Sequence, residues 1–138
     1  MQGEILGAAM SQENLELFRA GLAAWNEGDY ETIVEMCHPD VEWTFSDRLP
    51  DATGHIQGRG EVRKFFQAFT GDWSDISISA ERVEDFDQDV VADVAFLAKG
   101  RDGIEVSMRF IHVWTVRDGQ IVRFRGFASF DEAVAAVR

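Results

Sequence analysis

The sequence predicts an α+β domain in which helices gather on one face of a curved, mostly antiparallel sheet. Three observations carry that expectation. Apolar residues recur at helical spacing over 11–36 and 61–69, the period drops to two from Asp75 onward, and turn signals "DQD", "GRDG" and "RDG" separate four successive alternating segments. Helices followed by a meander of strands imply helices packed on one side of an antiparallel sheet.

Residues 1–10 read as a flexible N-terminal extension to a single domain over 11–138. "SQENLELFRAGLAAWNE" (11–27) opens on Ser11, a helix-capping type, and sets Leu15, Phe18, Leu22 and Trp25 on one helical face before Gly28 stops it. Asp29 can cap a second, short helix through "YETIVEMC", which brings Ile33, Val34 and Met36 to the same core and which Pro39 ends. "VEWTF" (41–45) alternates, with Val41, Trp43 and Phe45 on one side, as a strand does. Ser46 to Gly60 is rich in Asp, Pro and Gly and reads as a loop, long enough to be functional. "EVRKFFQAF" puts Val62, Phe65, Phe66 and Phe69 on one face of a third helix. The four strands are "DISISAERVEDF", "DVVADVAFLAKG", "GIEVSMRFIHVWTV" and "QIVRFRGFASF", and "DEAVAAV" closes the chain as a short helix.

At 138 residues the chain is one domain's worth. A lone cysteine, Cys37, rules out an intrachain disulfide, and no run approaches the apolar length of a membrane span or the form of a signal peptide. A soluble, cytoplasmic protein with no membrane partner is expected. The 13 basic residues are outnumbered by 25 acidic ones, giving a net charge of −12, so nucleic acid is not an expected partner either. Eleven Phe and four Trp imply a dense core or an aromatic-lined cavity.

The most apolar run, "RFIHVWTVRDGQIVRFRGF" (109–127), holds a histidine at its centre. Strand alternation puts Met108, Phe110, His112 and Trp114 on one face and Arg109, Ile111 and Val113 on the other. A two-residue Asp118-Gly119 turn would set His112 opposite Arg125; a three-residue loop from Arg117 sets it opposite Phe124, with Trp114 opposite Val122 and Phe110 opposite Gly126. Only the second separates an apolar face from one carrying Arg109, Arg123 and Arg125, whose unpaired burial is costly, so the three-residue loop is expected and His112 faces the helices.

A buried histidine is often a hydrogen-bonded core residue, but no hydroxyl or carboxylate on its own strand face can reach this one. Its partner must come from elsewhere or be a ligand. Asp93 is an acid inside an apolar strand; facing inward it would pair with His112 for proton transfer, and facing outward it would be solvated or salt-bridged. His38, before Pro39, reads as structural, and His55, with Asp47, Arg48 and Asp51, reads as part of a solvated loop. No GxSxG, HExxH, GxGxxG or P-loop pattern occurs.

The stretches "LFRAGLAAWNEGDYETIVEMCHPDVEW", "GRGEVRKFF" and "HVWTVRDGQIVRFRGF" resemble the nuclear transport factor 2-like superfamily, in particular its SnoaL-like branch, which is related to ketosteroid isomerase and polyketide cyclases. The resemblance implies a cone-shaped α+β barrel, its curved sheet wrapped around three N-terminal helices. It also implies a conical pocket lined by Trp43, Phe66, Met108, Phe110, His112, Trp114, Phe124 and Ala128, and a homodimer through the sheet's outer face, furnished by Arg109, Ile111, Val113, Arg123, Arg125 and Phe127. The catalytic sets of known relatives are mostly missing. Trp43 stands where ketosteroid isomerase has its carboxylate base, Gly21 near its oxyanion-hole tyrosine and His112 at its oxyanion-hole aspartate. Of the acid-base set of limonene-epoxide-hydrolase-like enzymes only Asp93 survives, with Val91 and Gly126 at the other two places.

The function expected from these readings is binding of a small, largely apolar or aromatic molecule in the conical pocket. His112, with Asp93, would act as acid and base in isomerase- or cyclase-type chemistry needing no metal or cofactor. The alternatives are a non-catalytic ligand-binding domain and a dimeric interaction module with a filled cone.

Overall fold

A computed structural model describes residues 2–44 and 55–138, with side chains from residue 12 onward. Its elements run α1 (Gln2–Glu27), α2 (Tyr30–Met36), β1 (Cys37–Thr44), β2 (His55–Gln57), α3 (Arg59–Asp72), β3 (Trp73–Phe86), β4 (Asp89–Gly100), β5 (Glu105–Arg117), β6 (Gln120–Phe127) and α4 (Phe130–Val137). Phe45, Asp47, Arg48 and Asp51 lie outside the described residues, as does the Ser11 side chain.

α1 runs through Ser11 instead of starting there, because the preceding "GEILGAAM" is built largely of good helix formers and needs no stop at that point. Asp29 caps α2 as its residue type suggests: its carboxylate accepts from the Thr32 N–H at 3.3 Å and from the Thr32 hydroxyl at 2.6 Å. α2 is already over at Met36, and Pro39 falls inside β1, where the pairing with β6 is interrupted between Cys37 and Glu42. A proline has no N–H to give to a ladder, so it fits such a break. β2 is a three-residue strand within the stretch read as loop; Ile56 pairs with Trp43 and is buried.

The six strands form one sheet in the order β2-β1-β6-β5-β4-β3, antiparallel throughout except for β1 against β6. It curves around the three helices α1–α3 without closing into a barrel, with β2 and β3 as its edges. Part of the β3 edge is sealed by a side chain. Asn26 on α1 donates to the Ile78 carbonyl at 2.8 Å and accepts from the Ile78 N–H at 2.7 Å, matching the backbone of a missing neighbour strand.

The main core lies between α1–α3 and the inner face of the sheet, and includes Phe18, Ile33, Val34, Val41, Trp43, Val62, Phe66, Val94, Phe96, Trp114 and Phe124. A second, smaller core lies on the outer face. There α4, capped by Ser129 through the Glu132 N–H at 3.1 Å, lays Ala133, Val134 and Val137 against Val91, Val113, Ile111 and Phe127. Part of the outer face expected to meet a second copy of the chain is thus covered by the chain's own last helix. Leu97 and Arg109 remain exposed on it. No described helix is long and apolar enough to cross a membrane.

Gly21 shows how α1 and the sheet are matched. A Cβ there would stand 2.7 Å from Cη2 and 2.8 Å from Cζ3 of Trp114, closer than real side chains approach, so only glycine lets the indole lie against the helix. In Gly21→Ala the helix gains about 1 kcal/mol of propensity, but overpacking a ring held at 3% exposure costs typically 1–3 kcal/mol. A net loss of stability is expected in chemical denaturation; a stabilised Gly21→Ala protein would mean that Trp114 does not occupy that space.

Candidate active site

Inward-facing residues of β5 and its neighbours make an aromatic wall. Trp114 pairs with Phe124 across the β5–β6 hairpin, His112 with Gly126 and with Ala92 of β4, and Phe110 with Val94. β1 brings Trp43 alongside Phe124, ring centroids 4.8 Å apart, and α3 sets Phe66 edge-on to Trp43 at 5.6 Å. Phe18 of α1 meets Trp114 edge-on at 5.0 Å. At this separation each such pair adds roughly 0.5–1.5 kcal/mol beyond its burial.

The His112 ring sits 4.5 Å from Phe124 and lies nearly parallel to Phe110 at 5.9 Å. Among the described residues neither of its nitrogens has a hydrogen-bond partner. The side chain keeps some accessible surface, yet protein surrounds it closely enough for burial to push its pKa down from 6.5 to about 4. It is therefore a neutral imidazole at physiological pH, offering one N–H donor and one lone pair. Accessibility changes along the strand: Trp114 and Val116 are buried, whereas His112, Phe110 and Met108 are only partly so. The wall opens toward the Met108 end.

The expected hairpin register needs correction. Asp118 (φ 51°) and Gly119 (φ 75°) form a two-residue turn with both central φ positive, not a three-residue loop. The pairing then slips between Thr115–Arg123 and Val116–Ile121, leaving Val122 as an extra residue on β6. Beyond that bulge the partners stand two positions from those expected, and a shift of two preserves the face. His112 still looks toward the helices beside Phe124, and the arginines look away.

Trp43, Phe66, Met108, Phe110, His112, Trp114 and Phe124 thus lie on one wall or packed against it. Asp93 and Ala128 do not join them. Asp93 pairs with Ile111 on the outer face, where Arg109 grips both carboxylate oxygens, Nε to Oδ1 at 3.2 Å and Nη2 to Oδ2 at 2.7 Å. It is separated from His112 by the sheet itself. Ala128 follows the end of β6 and is exposed. Tyr30, unremarked in the sequence, joins the wall's far side: it stacks on Phe66 at 4.6 Å, and burial raises its pKa. Its position just after the Asp29 cap marks it as a helix start and gives no hint of this contact. The Cys37 thiol is fully buried and pushed up to about 11, so it is no nucleophile. His38 accepts from the Asp40 N–H at 3.0 Å, as a structural residue does.

Among the described residues no group of three His, Cys, Asp or Glu side chains converges as a metal site. Beyond Met108, at the β4–β5 turn, Trp73, Arg101 and Ile104 line a shallow cleft whose polar groups are already engaged. Arg101 bridges to Asp72 at 3.2 Å and donates to the Gly71 carbonyl, and Asp102 accepts from the Ile104 N–H.

The model of the SnoaL-like domain family matches residues 18–124, from the helix that carries Phe18 to the strand that carries Phe124. The chain belongs to the SnoaL-like domain family. Solved structures with the same fold include an NTF2-like protein of unknown function from Burkholderia pseudomallei, 20% identical with a TM-score of 0.76, covering 91% of this chain and 97% of that one. TerC, co-crystallised with polyporic acid, is 22% identical with a TM-score of 0.75 and the same coverage. A protein of ketosteroid isomerase-like fold from Catenulispora acidiphila, in complex with trimethylamine, is 12% identical with a TM-score of 0.71 over 88% of this chain and 92% of that one. No curated protein matches the chain.

In this SnoaL-like domain the lowered pKa of His112 has a consequence for stability. The unfolded ring takes up its proton near pH 6.5 and the folded ring only near 4, so its contribution is intact above 6.5 and is lost as the pH falls between the two. The full difference is on the order of 3 kcal/mol. Between pH 7 and pH 4 the unfolding free energy of the wild type should fall more than that of His112→Phe by an amount of that order. Parallel pH profiles for the two proteins would show that the ring is not held neutral.

Proposed function

We propose that this SnoaL-like domain binds a small, largely apolar or aromatic carbonyl compound against the inner wall, with neutral His112 hydrogen-bonded to its oxygen. The observation that carries this is an imidazole whose nitrogens have no hydrogen-bond partner among the described residues, on an aromatic wall, with part of its surface still accessible. Burying such a group without a partner costs about 1–3 kcal/mol, which a ligand or water oxygen recovers. The likeness to TerC and to the Catenulispora acidiphila protein supports the reading, since each was crystallised with a small molecule.

A ring with a pKa of about 4 is a weak base at neutral pH but remains a hydrogen-bond donor. The role this suits is polarising a carbonyl in cofactor-independent isomerisation or ring closure. A donor aimed at a developing oxyanion is worth roughly 10²–10³ in rate. Asp93 takes no part, since it faces the other side of the sheet in its pair with Arg109.

A filled cone serving stability alone is the second reading, favoured by the close packing of Trp43, Phe66, Trp114 and Phe124, none more than 5% exposed. A panel of planar aromatic ketones and quinones separates the two, read by thermal shift and calorimetry. On the binding proposal at least one compound raises Tm in a saturable way, His112→Ala weakens it about 10-fold or more, and Asp93→Asn leaves it unchanged. No shift from any compound favours the filled cone, and equal binding by His112→Ala removes the histidine from the site.

A further inference from the structure

The outer face carries a second feature that the SnoaL-like site does not use. Arg123 and Arg125 sit two residues apart on β6 and project to the same side, away from Phe124. They are under-compensated in a chain with an excess of carboxylates. Elsewhere on this sheet Arg82 reaches Glu84 at 3.0 Å and Arg109 reaches Asp93 at 2.7 Å. Arg123 has no ion pair or hydrogen bond among the described residues, even though Glu42 is its cross-strand neighbour on β1.

Arg125 has one loose ionic partner besides the face of Phe127, whose ring centroid lies 5.6 Å from the guanidinium carbon. Its Nη2 stands 3.7 Å from Asp89 Oδ1, an oxygen that also accepts a short hydrogen bond from the Thr115 hydroxyl. Its Nε is buried with no hydrogen-bond partner among the described residues, and its side chain is only 19% exposed. Burial and the neighbouring Arg123 both work against its charge. Taking a guanidinium this far out of water with so little compensation is costly, and an anion that pairs with it recovers the cost. α4 packs over Val91 and Val113, and on the β1–β2 side the row of Arg125 continues through exposed Thr44 and His55.

We propose that Arg123 and Arg125 form an oxyanion site on the outer face, taking the carboxylate or phosphate group of a small molecule between their guanidinium forks. The Thr44 hydroxyl lies in the next strand as a further donor. This site is independent of the His112 wall, because the sheet separates the two.

The test is calorimetric titration of the full chain with inorganic phosphate and, separately, with acetate, each at an ionic strength held constant with sodium chloride. Saturable binding of either anion is expected, and which one binds more tightly identifies the group the site takes. Arg123→Gln should weaken binding at least ~10-fold, with Arg123→Lys intermediate because it keeps the charge but not the fork, while His112→Ala binds as the wild type does. Since Arg123 makes no ion pair or hydrogen bond among the described residues, its substitution is expected to leave the fold intact, which circular dichroism checks. Absence of saturable binding by both anions, or equal binding by Arg123→Gln, overturns the proposal.

Discussion

The arrangement of both faces rests on a compensation in the β5–β6 hairpin. A two-residue turn at Asp118-Gly119 alone would bring Arg123 and Arg125 to the inner face opposite Trp114 and His112. The extra residue at Val122 returns the strand to the phase that puts Phe124 inward and the guanidinium groups outward. An apolar interior tolerates two unpaired arginines poorly, so the bulge is where the hairpin's turn chemistry and the burial requirement are reconciled. Trp114 can then lie against Gly21, and Phe124 can fill the space between Trp43 and His112.

That phase also sorts the charges by role. Inside, His112 is an ionisable ring among Phe110, Phe124 and Trp114, and burial keeps it uncharged. Outside, Asp93 is matched to Arg109, while Arg123 and Arg125 stand beside each other and, among the described residues, ion-pair with Asp89 alone. A neutral donor inside a low-dielectric wall suits a carbonyl ligand, and a pair of arginines at a surface suits an anion. On these two proposals the faces of one sheet bind by chemistries that do not compete.

Much of this was legible in the sequence, for stated physical reasons. The helix pattern of Leu15, Phe18, Leu22 and Trp25, the Asp29 cap and the period-two strands fix the α+β class, and the cost of burying Arg123 and Arg125 fixes the face of His112. The register was not legible, because nothing in "QIVRFRG" marks Val122 as a bulge. Asp93 was only partly legible: the even face of β4 (Val90, Ala92, Val94, Phe96) is the more apolar and favours the inside, but Val91 and Leu97 beside Asp93 on the odd face left the other side open; in the fold Val91 packs under α4 while Ala92 and Val94 pack under the other helices. What decides its side is the last helix crossing the outer face, a long-range fact that periodicity does not encode. The match of Trp114 to Gly21 is invisible for the same reason.

The neutrality of the inward imidazole is most directly measured by nuclear magnetic resonance of ¹⁵N-labelled histidine, following each ring's nitrogen shifts with pH. The account requires His112 to remain neutral through pH 5 and to titrate only near 4. A midpoint close to 6.5 would place the ring in water and contradict the account.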